Sequence, residues 1–128
     1  MGGRLRHRTA SDRGAAAVEF ALVSILLMIM IVGMVQLARL YQAQLAITHA
    51  AREGVRQASV NKYDAAYVKQ QAAPLPAANV TVTRTEPTAE SVKVTVGYPF
   101  PIWLVNPNWS RTAQVIQLSS SAEMRKEF

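Results

Sequence analysis

Residues 14–35 read GAAAVEFALVSILLMIMIVGMV, and this stretch decides the architecture. From Phe20 onward it carries no charged residue, and Ser24 is its only polar one. About 20 helical residues, rising 1.5 Å each, cross a hydrocarbon core of about 30 Å. Residues 15–35 are therefore long enough to span a bilayer. Before them stand Arg4, Arg6, Arg8 and Arg13, opposed only by Asp12. A basic flank ahead of an apolar run predicts a cytoplasmic N-terminus, and the same arginines suit anionic headgroups. A cleaved secretory signal shares this layout. However, Gln36-Leu37-Ala38 followed by Arg39 is a poor small-x-small site, and the run exceeds the usual apolar core of about 7–15 residues. A buried core helix would need more apolar wrapping than the rest of so short a chain supplies.

The 128 residues allow one ordinary domain. Half of them are hydrophobic and 17% are charged, against about 25% charged in average soluble domains. Such a composition excludes a uniformly disordered chain. The absence of Cys excludes a disulfide scaffold, a thiolate zinc site and a cysteine nucleophile. The net charge of +6 is half contributed by the first fourteen residues. No aromatic residue interleaves with those arginines and no recognition helix follows, so no nucleic-acid partner is expected.

Helix-compatible sequence continues past residue 36, since the first proline is Pro74. Leu37, Tyr41, Leu45, Thr48, Ala51 and Val55 recur at spacings of three or four, as one helix face would. A second line, Ala43, Ala46, Ala50, Gly54 and Ala58, is made of small residues. Small residues at that spacing admit close approach of another helix, although alanine also favours helix for its own sake. Gly54 costs about 1 kcal/mol relative to Ala inside a helix, so it marks a break or serves a contact. Glu53 and Arg56 stand i,i+3 and can pair. One helix over residues 15–59, about 67 Å long, is expected. Residues 15–36 would lie in lipid and residues 37–60 outside it, as an amphipathic stalk.

Glu19 is the one charge within residues 15–35. Intramembrane carboxylates are costly and point to function, while the first helical turn tolerates an anion through the helix dipole. If the chain were cut after Gly14, Ala15 would carry an ammonium one turn from Glu19. A neighbour's ammonium could neutralise that carboxylate and set the axial register between subunits.

Arg13-Gly14-Ala15-Ala16-Ala17-Val18-Glu19-Phe20 resembles the prepilin processing site of the tight-adherence (Tad, Flp) class of type IV pili: Gly, four residues, Glu, then an aromatic. Ala50-Ala51-Arg52-Glu53-Gly54-Val55-Arg56 resembles the stretch after the apolar segment in TadE-like proteins, and Ala122-Glu123-Met124-Arg125 with Glu127 is similar to that family's end. The resemblance is strong over the N-terminal half and weak beyond it. It implies a pilin-like α+β fold. It also implies cleavage after Gly14 by an inner-membrane prepilin peptidase, with Gly14, Ala15, Glu19 and Phe20 as the processing site. The mature product would be a pseudopilin that works with other pilins or pseudopilins in assembling adhesive Flp pili. Major Flp pilins lack a sizeable domain after the helix, so this chain looks like an accessory subunit.

Residues 61–128 read as a small α/β domain. Tyr63, Ala66, Tyr67 and Gln70 predict a short second helix ended by Pro74-Leu75-Pro76. Residues 79–84 and 92–98 alternate and predict a hairpin with a longer loop over 85–91. A third strand is expected within 111–120, where Gln114, Ile116 and Leu118 alternate. Three strands with one apolar face can pack on a helix. Residues 99–109 hold Phe100, Trp103 and Trp109 among Pro99, Pro101 and Pro107. The prolines argue against a central strand. The aromatics either plug the small core or form an exposed patch for partner subunits or the membrane surface.

Nothing in the sequence implies an enzyme, a cofactor, a metal or a small-molecule substrate. His7 and His49 have no ligand-type neighbours at metal spacing, and Ser119-Ser120-Ser121 has no histidine base. The expected protein is a single-pass subunit of the inner (cytoplasmic) membrane, N-terminus inside and C-terminus extracytoplasmic. Two alternatives remain. One is an uncleaved membrane scaffold or receptor using Phe100, Trp103 and Trp109 as contacts. The other is an anchored DNA-binding regulator using Arg4, Arg6 and Arg8.

Overall fold

A computed structural model describes residues 10–102 and 114–127. The element order is α1 (Ala10–Ser59), α2 (Ala65–Gln71), a 3-10 turn (Ala77–Asn79), then β1 (Thr81–Thr88), β2 (Ser91–Ile102) and β3 (Gln114–Arg125). The strands form one antiparallel sheet in the order β1-β2-β3. This is an α+β, pilin-like layout. The chain divides into two compact units, one reaching to Val35 and one starting at Gln36.

Among its described residues the first unit is helix alone. Nearly all of its described apolar side chains are exposed, as at Val18, Leu22, Ile25, Met28 and Ile31. α1 begins at Ala10, five residues before the expected start.

The second unit is built on the remainder of α1. Ala43, Ile47, Ala50, Ala51, Val55 and Ala58 are buried on one face. They meet the alternate residues Val92, Val94, Val96, Tyr98 and Phe100 of β2. Each fully buried valine or isoleucine contributes about 1.5–3 kcal/mol of transfer free energy. The face expected from Leu37 to Val55 is buried only toward its later end. Leu37, Tyr41 and Leu45 are exposed, while Ala51 and Val55 are buried. Leu37 stands eighteen residues, five full turns, before Val55 and so on the same line of the helix. It is exposed because no described strand covers that level, while Tyr41 and Leu45 are turned further from the small-residue line, which takes the interior.

α1 ends in a Schellman motif. Asn61 adopts φ 57, Asn61 N donates to Ala58 O at 3.2 Å, and Lys62 N donates to Gln57 O at 2.9 Å. Asparagine tolerates the left-handed region that most side chains avoid. Asp64 then caps α2, its carboxylate accepting from Ala66 N at 2.8 Å.

Three strand expectations need correction. The loop over 85–91 is tighter than expected: Thr88 pairs with Ser91, and a register irregularity between Thr85 and Thr88 accommodates Pro87 on the edge strand. Pro99 and Pro101 lie inside central β2, opposite Gln117 and Val115 of β3. β1 begins only at Thr81, opposite Gly97. Thr81 Oγ1 donates to Gly97 O, so odd-numbered positions of β2 turn their backbone groups toward β1. At Pro99 and Pro101 no β1 residue is there to receive an N–H, and proline costs nothing. β3 starts later and runs further than residues 111–120, because it pairs with β2 as far as Ser91–Arg125.

Candidate functional site

The sequence-predicted processing residues lie on the first turns of α1. Gly14, Ala15, Glu19 and Phe20 are all exposed, Phe20 at 75%. Ala15 and Glu19 are i,i+4 and share a helix face. Among the described residues no ion pair reaches Glu19. Ser24 donates to Phe20 O at 2.7 Å, which satisfies its hydroxyl within the helix. A Cβ placed on Gly14 would meet nothing within 4 Å. Glycine costs about 1 kcal/mol in a helix interior relative to alanine, and the fold gains nothing for it here.

Gly54 is the opposite case. A Cβ there would lie 3.0 Å from Val94 Cγ1 and 3.1 Å from both γ-methyls of Val68. Gly54 therefore marks no break: α1 runs on to Ser59, and the missing side chain lets β2 and α2 close on the helix. Ala43, Ala46, Ala50 and Ala58 on the same line are buried too. Their close neighbours lie within this chain.

The two other stretches that carry the resemblance come together. An open groove of about 550 Å³ is lined by His49, Arg52, Glu53, Val55 and Arg56 of α1 and by Ala122, Glu123 and Met124 of β3. Arg56 clasps Glu53 through Nε at 2.9 Å and Nη2 at 2.7 Å. The hydrogen bond from Arg56 holds the Glu53 carboxyl below its ordinary range. Ser91 Oγ donates to Glu123 Oε1 at 2.8 Å. This juxtaposition was not legible in the sequence, where the stretches stand some seventy residues apart. Glu53 and Arg56 partner one another within it, Glu123 is held by Ser91 from outside the lining, and no cluster of metal-ligating residues exists among the described residues.

Phe100 is 9% exposed and belongs to the core. Trp103 and Trp109 lie outside the described residues. In its first part α1 is apolar enough, and as a whole long enough, to cross a membrane.

Residues 14–56 match the family model of TadE-like proteins, in agreement with the resemblance read from the sequence. The matched stretch opens on Gly14 and closes on Arg56, so it contains the segment expected from the sequence to be processed and most of the buried face of α1, and ends before the sheet. No curated protein and no solved structure matches the chain.

Proposed function

We propose that this chain is a prepilin-like subunit (a pseudopilin) that serves the assembly of Tad (Flp) adhesive pili and is matured by prepilin peptidase cleavage after Gly14. It is inserted in the inner membrane by the first part of α1, with its N-terminus cytoplasmic and its second unit outside. Its role is structural, and other pilins or pseudopilins of the same machinery are its partners.

The observation that carries this reading is Gly14. The match to TadE-like proteins begins on that residue, yet nothing around it in the fold excludes a side chain. A glycine without an internal reason points to an external reader. A peptidase needs close access to the backbone on both sides of the scissile bond, and a Cβ obstructs it. The bond between Gly14 and Ala15 is helical here, so the enzyme must unwind the first turns of α1. Glycine, the weakest helix former after proline, lowers that cost where it is needed. After cleavage the four leader arginines and Asp12 are gone, and the net charge falls from +6 to +3.

Mass spectrometry of the mature N-terminus tests the proposal. In cells containing the peptidase the first residue should be Ala15. Any other first residue, or an intact leader, overturns the reading and favours the uncleaved scaffold.

A further inference from the structure

We propose that the second unit has a lipid-facing end of its own, formed by Leu37, Tyr41, Val115 and Ile116, which rests in the headgroup layer of the bilayer that α1 spans. The inference rests on the reading of residues 15–35 as a membrane span.

The four residues belong to one end of the unit. Gly54 touches Val94. From Val94 to Phe100 six strand residues cover about 20 Å, and from Gly54 back to Tyr41 thirteen helical residues cover about the same distance. Phe100 thus comes level with Tyr41, and it shares the core with Ala43 and Ile47. Ile116 pairs with Phe100, and Val115 pairs with Pro101. So the start of β3 and the first turns of this part of α1 lie at one end, where the chain passes to Val35.

That end is apolar on surfaces that packing does not explain. Leu37 and Tyr41 are each 66% exposed, Val115 is 50% exposed and Ile116 41%. Val115 and Ile116 point to opposite faces of the sheet, because successive strand residues alternate. A second packed layer would call for apolar residues on one face only. Apolar residues on both faces at a strand's end suit immersion of the end itself. The opposite end is charged: Glu86 binds Arg84 and Lys126 at 2.7 Å each, and Glu90 binds Arg125 at 3.0 Å. Of the other exposed large apolar residues described in this unit, Leu45 extends the Leu37–Tyr41 line by one turn, and Val60, Tyr67 and Met124 lie toward the charged end.

The occupant is lipid because of distance and chemistry. Leu37 follows Val35 by two residues, about 3 Å of helix, and Tyr41 follows by about 9 Å. Headgroup layers extend several ångströms beyond the hydrocarbon core. Tyrosine is enriched at that depth because it is apolar with a polar tip. Arg39, between them and exposed, can extend its guanidinium to a lipid phosphate.

The chain has no cysteine, so single nitroxide labels can be placed in the full chain. The test uses Tyr41→Cys, Ile116→Cys, Glu90→Cys and Met28→Cys, each labelled and reconstituted in vesicles of phosphatidylethanolamine with a minor share of phosphatidylglycerol. Collisions with oxygen report lipid, and collisions with a water-soluble nickel chelate report solvent. Labels at 41 and 116 should lose nickel-chelate collisions relative to the label at 90 while keeping oxygen collisions. Nickel accessibility at 41 and 116 equal to that at 90, with the label at 28 in lipid, overturns the proposal and leaves the span intact. Immobilised labels at 41 and 116 shielded from both reagents point to a protein neighbour, a second copy included, and also overturn it. Nickel accessibility at 28 overturns the span itself and this inference with it. All four parent residues are exposed or lie outside the core, and unchanged far-ultraviolet circular dichroism verifies that labelling left the fold alone.

Discussion

The two parts of α1 are continuous in backbone and opposite in what their side chains answer to. Up to Val35 almost all the large apolar residues of the described helix are exposed, with Leu27 at 57%. Beyond Gln36 a stripe of the same helix is sealed against a sheet, with Ile47 at 0%. The glycines sharpen the contrast. Gly14 has open space around it, whereas a Cβ on Gly54 would press on three methyl groups at 3.0–3.1 Å. The first part is shaped by what lies outside the molecule, and the second by the molecule's own core. Sequence constraints in the two parts should therefore fail in different assays.

The largest effect is expected from Gly14→Val. Immunoblotting should show complete loss of the processed form, with thermal unfolding of the second unit unchanged. Normal processing would mean that no reader requires Gly14. Glu19→Ala should come next: cleavage persists and piliation falls, seen by electron microscopy of cells. Normal pili in that variant would remove the charge-pairing role. Ile47→Ala should cost about 2–5 kcal/mol of stability, read by thermal or denaturant unfolding in detergent, whereas Leu27→Ala should cost nothing in that assay. Equal losses would erase the distinction between the two parts. Gly54→Val forces methyl groups into Val68 and Val94, and overpacking of this kind costs about 1–3 kcal/mol. The smallest effect is that of acid. Hydrogen bonds from Lys126 and then Arg84 hold the Glu86 carboxyl below its ordinary range, and Arg56 does the same for Glu53. A depressed carboxylate stabilises the fold above its unfolded pKa of about 4.3, and that contribution is lost as pH falls through the lower folded value. Melting temperature should decline over that window, and less so in Glu86→Gln.

Much of this could be read from residue order. A 21-residue apolar run, unbroken helix formers to Ser59, and alternation at Val92, Val94 and Val96 are local signals, and the helix and hairpin followed from them. What was hidden depended on partners distant in sequence. Pro99 and Pro101 argue against a central strand until it is known that β1 stops opposite Gly97. Leu37 and Val55 have the same hydrophobicity signal, and only the sheet's position decides which is buried. Pro87 suggests a loop, and an edge position with a register irregularity removes the objection. The groove between α1 and β3 has no local signal at all, because register brings Ala122 opposite Val94 and packing brings Val94 onto Gly54.

The strand order β1-β2-β3 also has a consequence for the time course of biosynthesis. β3 is the last described element to be made, and it closes one whole side of β2, from Ser91 to Ile102. Until it emerges, β2, the most apolar of the described strands, has a free side. Unpaired edges of this kind recruit other chains. A chain whose β3 has not yet emerged is thus most open to wrong pairing, and a factor that shields β2 would be needed only until β3 docks.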